Sequence, residues 1–314
     1  MRLVDSYPEK LSVPVQQTRY RAHAELAARH GVEVTFCSDC IEVSRGQSTI
    51  RIHKFHIIYL NAVIRYFDFY WESVEPRNEF GKQVCDFTPE RYHRVHGFDL
   101  MPVVFPSLAE PVSTIKQYLD FAALEEGQTV IDLGAYAGLS SILFRLAVGS
   151  NGRVVALEPD PLNHRCASLN LDLFKRLTGL GVELLNIAVW TDDAGVDFSA
   201  DGCMGSSAVE FIGARGEQLH VPSISLDQLL DSCEIGTVDL LKCDIEGAES
   251  RIFRDSARLS GSVKKMVIET HTPYDVPTSD ALVPQLQEAG FDCELVRQYG
   301  VDLPLLQATN QRRF

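Results

Sequence analysis

The run Val130-Ile131-Asp132-Leu133-Gly134-Ala135-Tyr136-Ala137-Gly138 confines the fold more than any other part of the chain. Residues 129–133 are short, mostly apolar and rich in β-branched types. Leu139, Ile142, Leu143, Leu146 and Ala147 then recur at helical spacing, so a buried strand passes through a glycine turn into a helix. Such a unit opens a doubly wound parallel sheet, in which ligands sit at the carboxyl ends of the strands. It does not carry the dinucleotide fingerprint G-x-G-x-x-G: counted from Gly134, the other two glycine positions fall on Tyr136 and Leu139. Asp132 also has the wrong sign for a phosphate neighbour, and suits an ammonium met directly or through a water. The plainer reading gives these glycines a role in tight backbone geometry alone.

The next strand signal, Gly152 through Leu157, runs into Glu158-Pro159-Asp160-Pro161. A Glu at the end of a second strand can accept both hydroxyls of a ribose. The bland reading makes it a solvated carboxylate capping a helix over 161–173, a role Asp160 can fill instead. Asp132, Gly134, Gly138 and Glu158 in this order fit an adenosyl cofactor with a cationic end, S-adenosylmethionine.

With 314 residues and a formal net charge of -14, the chain can bury a substantial core and offers no run of Lys and Arg interleaved with aromatics. A nucleic acid or an anionic membrane surface is therefore not expected as a partner. Residues 1–20 do not read as a signal segment, and no stretch approaches the ~18 apolar residues of a membrane span, so a cytoplasmic protein is expected. The eight cysteines read as reduced, small hydrophobes. Cys37 and Cys40 followed by His53 and His56 resemble a zinc-finger spacing, but the gap between the histidines is short and the surrounding residues alternate like strands. A plain hairpin is the preferred reading there.

Two regions follow from this pass, 1–105 and 106–314. The first is an α+β region: a helix over 16–30, a β-meander over 32–58, and an aromatic segment over 59–71 that includes Tyr66, Phe67, Phe69, Tyr70 and Trp71. So many rings suit a core, a cap over the main domain or a homodimer surface. Pro102, Pro106 and Pro111 punctuate the passage to the second region, whose first helix is expected over 112–124. Strands are then expected at 129–133, 152–157, 182–187, 238–243 and 265–268, a β-rich insertion at 195–221, a capped helix from Ser225, a helix over 279–289, and a terminal hairpin of 292–297 with 305–309. The expectation is an α/β fold with a seven-stranded, mostly parallel sheet and one antiparallel strand from the hairpin.

Two strand ends carry chemistry. Around Leu240-Leu241-Lys242-Cys243-Asp244-Ile245-Glu246-Gly247-Ala248-Glu249, alternation puts Lys242 and Asp244 on one face, where they can pair. Val267-Ile268-Glu269-Thr270-His271 brings a carboxylate and an imidazole to the same sheet edge. Each group alone reads as a strand-end ion pair or cap. Several converging beside a cofactor turn read as a catalytic edge.

On these residues the chain resembles the FkbM family of S-adenosylmethionine-dependent O-methyltransferases. Asp132-Leu133-Gly134-Ala135-Tyr136-Ala137-Gly138 is similar to the family's first motif, and Asp244-Ile245-Glu246-Gly247-Ala248-Glu249 to its D-x-E-G-x-E run; 224–230, 267–271 and 307–310 also fit. One departure is Tyr136, where the family usually has Asn. The resemblance implies a Rossmann-like class I methyltransferase fold and methyl transfer to a hydroxyl of a sugar, polyketide or similar metabolite. It implies a cofactor site of Asp132, Gly134, Ala135, Tyr136, Gly138, Glu158, Pro159 and Asp244, with adenine near Ala188 and Val189. Catalysis then falls to His271, Glu246, Asp244, Glu269 and Lys242. His271 is the first choice of base because imidazole titrates near neutral pH; Glu246 or Glu269 can orient it or replace it. In the second mechanism, Asp244, Glu246 and Glu269 hold Mg²⁺, as in macrolide-sugar methyltransferases. A nicotinamide oxidoreductase and a non-catalytic protein that keeps the fold are the rivals.

Overall fold

The computed structural model describes residues 13–88, 90–212, 216–254 and 256–312; residues 1–12, part of the stretch read for a signal segment, lie outside them. Contacts divide the chain into two compact units, Met1–Val112 and Ser113–Phe314, so residues 106–112, with Leu108 and Ala109 buried, go with the first.

The first unit opens with the helix Val13–His30, which stops at Gly31 in the left-handed conformation (φ 65°). The strands Glu33–Phe36, Cys40–Arg45 and Ser48–His53 form the expected antiparallel meander; Lys82–Asp86 joins parallel to the third strand, and Arg77–Glu79 closes that edge. Alternation buries Ile41, Val43, Ile50 and Ile52. On the other face, Arg51 holds carboxylates from three strands, Glu42, Glu79 and Asp86.

The two zinc-finger histidines are engaged elsewhere. His53 Nδ1 accepts the backbone N–H of Phe55 (3.3 Å), and His56 Nδ1 lies 2.8 Å from the Ser107 hydroxyl. The aromatic segment is not one helix. It breaks at Tyr66 (φ -115°, ψ 41°) into Leu60–Arg65 and Phe67–Trp71. Leu60, Val63, Ile64, Phe67 and Tyr70 would share one face of a continuous helix, whereas Phe69 would leave it; with the break all six are buried. Phe67, Phe69 and Tyr70 are covered within the chain, whereas Tyr59, Tyr66 and Trp71 stay partly exposed.

The helix α1 (Val112–Ala122), all but its first residue in the second unit, leads to a seven-stranded sheet of β1 (Thr129–Leu133), β2 (Arg153–Leu157), β3 (Glu183–Leu185), β4 (Val238–Cys243), β5 (Val263–Glu269), β6 (Phe291–Arg297) and β7 (Pro304–Asn310). Their order is β3-β2-β1-β4-β5-β7-β6, parallel except that β7 runs against both its neighbours. The fold is thus the expected α/β, Rossmann-like class I methyltransferase architecture. The crossover helices are α2 (Leu139–Ala147), α3 (Pro161–Thr178), α4 (Leu226–Ser232), α5 (Glu249–Arg254) and α6 (Ser279–Glu288). Ile131, Leu133, Val155, Leu157, Leu241, Cys243, Met266 and Ile268 pack with Leu229, Leu230, Leu282 and Leu286 into a closed core. Burial on both faces explains why these strands read as continuous apolar runs.

Between β3 and α4 lies the β-rich insertion, an antiparallel trio of Val196–Ala200, Ser207–Ala208 and Glu217–Val221. Ser225 caps α4 through a reciprocal box with Gln228. Among the described residues, no helix is long and apolar enough to cross a membrane. Sheet order reverses between β1 and β4, and the crevice outside their carboxyl ends is where this topology binds ligands.

Candidate active site

The turn after β1 is held by its neighbours on both sides. Gly134 and Ala135 donate their N–H groups to Leu157 O (3.1 and 3.0 Å), Tyr136 donates to Glu158 Oε2 (2.7 Å), and Gly138 donates to Ala135 O (2.7 Å). Only glycine fits at 134: φ is 77°, and a Cβ there would lie 1.8 Å from the carbonyl oxygen of Asp244. Tyr136 also has a left-handed backbone (φ 51°), a conformation Asn adopts more readily than an aromatic residue. With these N–H groups spent internally, the turn is a poor cradle for phosphate.

Asp132 does not have the place expected of it. Its carboxylate has 0% exposure, and Oδ2 accepts from the hydroxyls of Ser140 and Ser141 (2.6 Å each). The ammonium it faces is the chain's own: Lys242 Nζ lies 3.5 Å from Asp132 Oδ1, because Asp132 and Lys242 stand opposite one another in the β1–β4 register. Lys242 also donates to Gly134 O (2.7 Å) and lies 3.5 Å from Asp244 Oδ2. Burial opposes its charge, but Asp244, Asp132 and Glu269 outweigh burial and hold it protonated above the ordinary lysine range. Lys242 is thus a fixed cation joining the turn to β4.

Glu158 is 4% exposed at the end of β2. Burial first, and Asp160 second, push its carboxyl up to about 8, against the N–H groups of Asp160 and Tyr136 and the amide of Asn163. Asp160 takes the capping role, accepting from Leu162 and Asn163 N–H (2.8 and 3.2 Å). Asn186, which the sequence reading did not single out, donates to Glu158 O and Pro159 O (2.8 and 3.2 Å) and ties β2 to the loop after β3. Ala188 and Val189 begin a short strand, Ala188–Trp190, and point to opposite sides. Ala188 joins Trp190, Phe198, Val221 and Ala248 in the insertion's apolar cluster, and Val189 joins the main core. Both side chains are covered, so no space opens beside the small residue.

At the ends of β4 and β5, carboxylates surround His271. Its Nδ1 bonds Glu249 Oε1 (2.8 Å), and its Nε2 lies 3.5 Å from Asp244 Oδ1 and 3.7 Å from Glu246 Oε1. Burial works against a charged ring, but Glu246, Glu249 and Asp244 together raise its pKa well above the ordinary value. The surrounding carboxylates thus favour the imidazolium form of His271, which weighs against the expected imidazole base titrating near neutrality. Glu249, seen in the sequence run but given no role, is the buried counter-ion. Burial would raise its carboxyl, but His271 and the Gly247 N–H hold it below the usual range.

Glu246 sits on a left-handed residue (φ 58°), followed by Gly247 at φ 113°, and this bend turns the carboxylate toward the ring. Glu269 accepts a hydrogen bond from Tyr118 on α1; burial and then Asp244 raise its pKa. Tyr118 is a further contributor missed in the sequence, lying about 150 residues from its partner.

A model of the FkbM methyltransferase domain matches residues 132–293, just over half of the 314-residue chain. The chain belongs to the FkbM methyltransferase family. It is an S-adenosylmethionine-dependent methyltransferase. No curated protein matches it. Among solved structures, it is similar to methyltransferase FkbM from Methylobacillus flagellatus KT (12% identity, 94% of this chain and 60% of that one, TM-score 0.42). It is also similar to a methyltransferase dependent on the same cofactor from Aquifex aeolicus (16%, 62% and 89%, 0.39) and to an O-methyltransferase from Thermotoga maritima (15%, 66% and 68%, 0.40).

The site of this FkbM protein fits that cofactor. Among the described residues, Glu158, Asp244, Glu246 and Glu269 line this edge with Lys242 and His271 as the cations beside them, an acceptor-rich edge suited to ribose hydroxyls and a positively charged sulfur. Mg²⁺ fits poorly. The three groups whose ligand atoms lie within 4.8 Å of one another are Asp244, Glu269 and His271, with imidazole where Glu246 was expected. Mg²⁺ prefers oxygen ligands, and an imidazolium repels it.

Proposed function

We propose that this FkbM protein methylates a hydroxyl group of a small metabolite and that Glu246 receives the hydroxyl proton. S-adenosylmethionine, when bound, supplies an electrophilic methyl on a cationic sulfur. The turn at 134–138 and Glu158 hold its two ends, and Lys242 keeps that turn in register with β4.

The observation that carries the reading is the carboxylate cluster around His271. A hydroxyl is a weak nucleophile until its proton leaves to a positioned base. Its carboxylate neighbours favour the protonated form of His271, and in that form it holds Asp244 and Glu246 in place by charge and leaves the proton-accepting role to a carboxylate. Glu246 is presented by the strained bend after β4, and strain of this kind is kept where surrounding structure enforces it for function. The negative edge also disfavours an anionic acceptor and suits a neutral polyol.

The test compares Glu246→Gln with His271→Gln on a hydroxylated acceptor. Glu246→Gln should lower kcat by about 10²–10⁴-fold with cofactor affinity retained. His271→Gln should cost less, and should move the acid limb of the pH–rate profile upward, because losing a nearby cation raises the pKa of Glu246. A severe His271→Gln beside a mild Glu246→Gln returns the base to His271. Methylation of nitrogen or carbon acceptors alone would refute the hydroxyl assignment.

A further inference from the structure

Away from the sheet edge, one other group of ligand-bearing side chains converges among the described residues: Cys37, Cys40 and Glu42, whose ligand atoms all lie within 4.8 Å of one another. We propose that the turn between the strands Glu33–Phe36 and Cys40–Arg45 binds a soft divalent cation, Zn²⁺ being the natural occupant, through the two sulfurs and the carboxylate.

The turn is built before any ion arrives. Cys37 N–H donates to Cys40 O (2.9 Å), which fixes the two thiol-bearing backbones side by side. Lys54, just past the end of the opposite strand, closes the loop: its N–H donates to Asp39 O (3.1 Å), and its Nζ donates to Ser38 O (3.1 Å) and Asp39 Oδ1 (3.2 Å). Cys40 and Glu42, two residues apart on one strand, share a face. Arg51 grips Glu42 through Oε1 alone, from Nε (2.9 Å) and Nη2 (2.8 Å). One carboxylate oxygen is thereby oriented while Oε2 takes no part in that grip, the outer support that metal-binding carboxylates characteristically receive.

The dimensions agree with a tetrahedral ion. In a tetrahedral zinc site two sulfurs stand about 3.8 Å apart and a sulfur and a carboxylate oxygen about 3.5 Å apart, so ligand atoms that lie within 4.8 Å of one another need close by no more than about 1.3 Å. Two thiolates select a soft ion over Mg²⁺ or Ca²⁺. Binding forms two metal–sulfur bonds and one metal–oxygen bond in place of waters of the hydrated ion, releases two thiol protons to water and changes no oxidation state. The product, one negative charge on balance, lies beside the cations Arg51 and Lys54. Cys37 is exposed, leaving a fourth position for water. His53 and His56 are not needed as ligands.

The probe is Co²⁺, titrated into the full, reduced chain. One ion per chain should give a thiolate-to-metal charge-transfer band, bleached by Zn²⁺. The band should vanish in Cys37→Ser and in Cys40→Ser, and Glu42→Gln should weaken binding by about 10–100-fold. The cluster of Asp244, Glu269 and His271 has no sulfur and cannot give this band. In the unmutated chain, Zn²⁺ but not Mg²⁺ should slow alkylation of Cys37 and Cys40, read by peptide mass, by about tenfold or more. No band, a band that survives loss of both thiols, or alkylation unaffected by Zn²⁺ overturns the proposal. So does a pair that air oxidises to a disulfide while the reduced chain shows no metal affinity.

Discussion

Glu158, if it binds the ribose as proposed, should make cofactor affinity depend on pH. Its carboxyl, pushed up to about 8 by burial and Asp160, is ionised in roughly one molecule in eleven at pH 7 and in about ten of eleven at pH 9. Ribose hydroxyls are donors and bind the carboxylate form, so the proton must leave as S-adenosylmethionine binds. Affinity should therefore rise about tenfold between pH 7 and pH 9, roughly 1.4 kcal/mol. Calorimetry at pH 7 in buffers of different ionisation heat should show nearly one proton released. The ligand's own ammonium also titrates in this range, so the decisive quantity is the difference from Glu158→Gln. That variant should bind about 1.5–3 kcal/mol more weakly at pH 9 and lack the excess slope. Equal slopes in the two proteins would refute both the assignment of Glu158 to the ribose and the reasoning about its proton.

The cofactor-free chain should show the opposite trend in stability. A carboxyl whose folded pKa is raised contributes stability that is complete below its unfolded value and is lost as pH rises through about 8, so Glu158→Gln should raise Tm relative to the parent at pH 9 and little at pH 5. Gly134→Ala should cost about 3 kcal/mol or more in denaturant unfolding, since the new Cβ meets Asp244 O; a loss below about 1 kcal/mol would mean the turn relaxes freely. Tyr136→Asn should stabilise by about 1 kcal/mol, the scale of left-handed strain relieved, seen as a higher urea midpoint. Chelator should leave methyl transfer intact; activity lost to chelator and restored by Mg²⁺ would overturn the poor fit argued for that ion.

The sheet was legible because its strands are buried on both faces and bounded by glycine and proline. The reading over 238–243 coincides with β4, and β1 was exact, whereas β5 extends further at both ends and β3 is shorter. The mostly parallel sheet with one antiparallel strand followed from alternation of strand with helix and from the terminal hairpin, whereas the strand order comes from the structure alone. What spacing could not yield was electrostatic state. His271 reads as a neutral-range base in isolation, and only the approach of Asp244, Glu246 and Glu249 makes it a cation. Asp132 likewise shows its charge in the sequence but not its burial under Ser140 and Ser141. Glu249 was visible as part of a motif, yet its bond to His271 joins residues whose proximity depends on α5 and β5 meeting.

The single ammonium of Lys242 has an implication for how such an enzyme can change acceptors. One group touches the carbonyl of Gly134 and the carboxylates of Asp132 and Asp244, so a replacement at Asp244 made to accommodate a new acceptor also slackens the grip on the methyl donor. Diversification has freer ground in the segments beyond that linchpin. Phe211 and Pro273 lie against Gly247, and Tyr274 reaches from its own loop to the backbone of Glu210. Neither segment hydrogen-bonds to Lys242 among the described residues, so selection for new acceptors should leave its record in the short helix Val209–Ile212 and the turn Pro273–Asp275 more than at the strand ends.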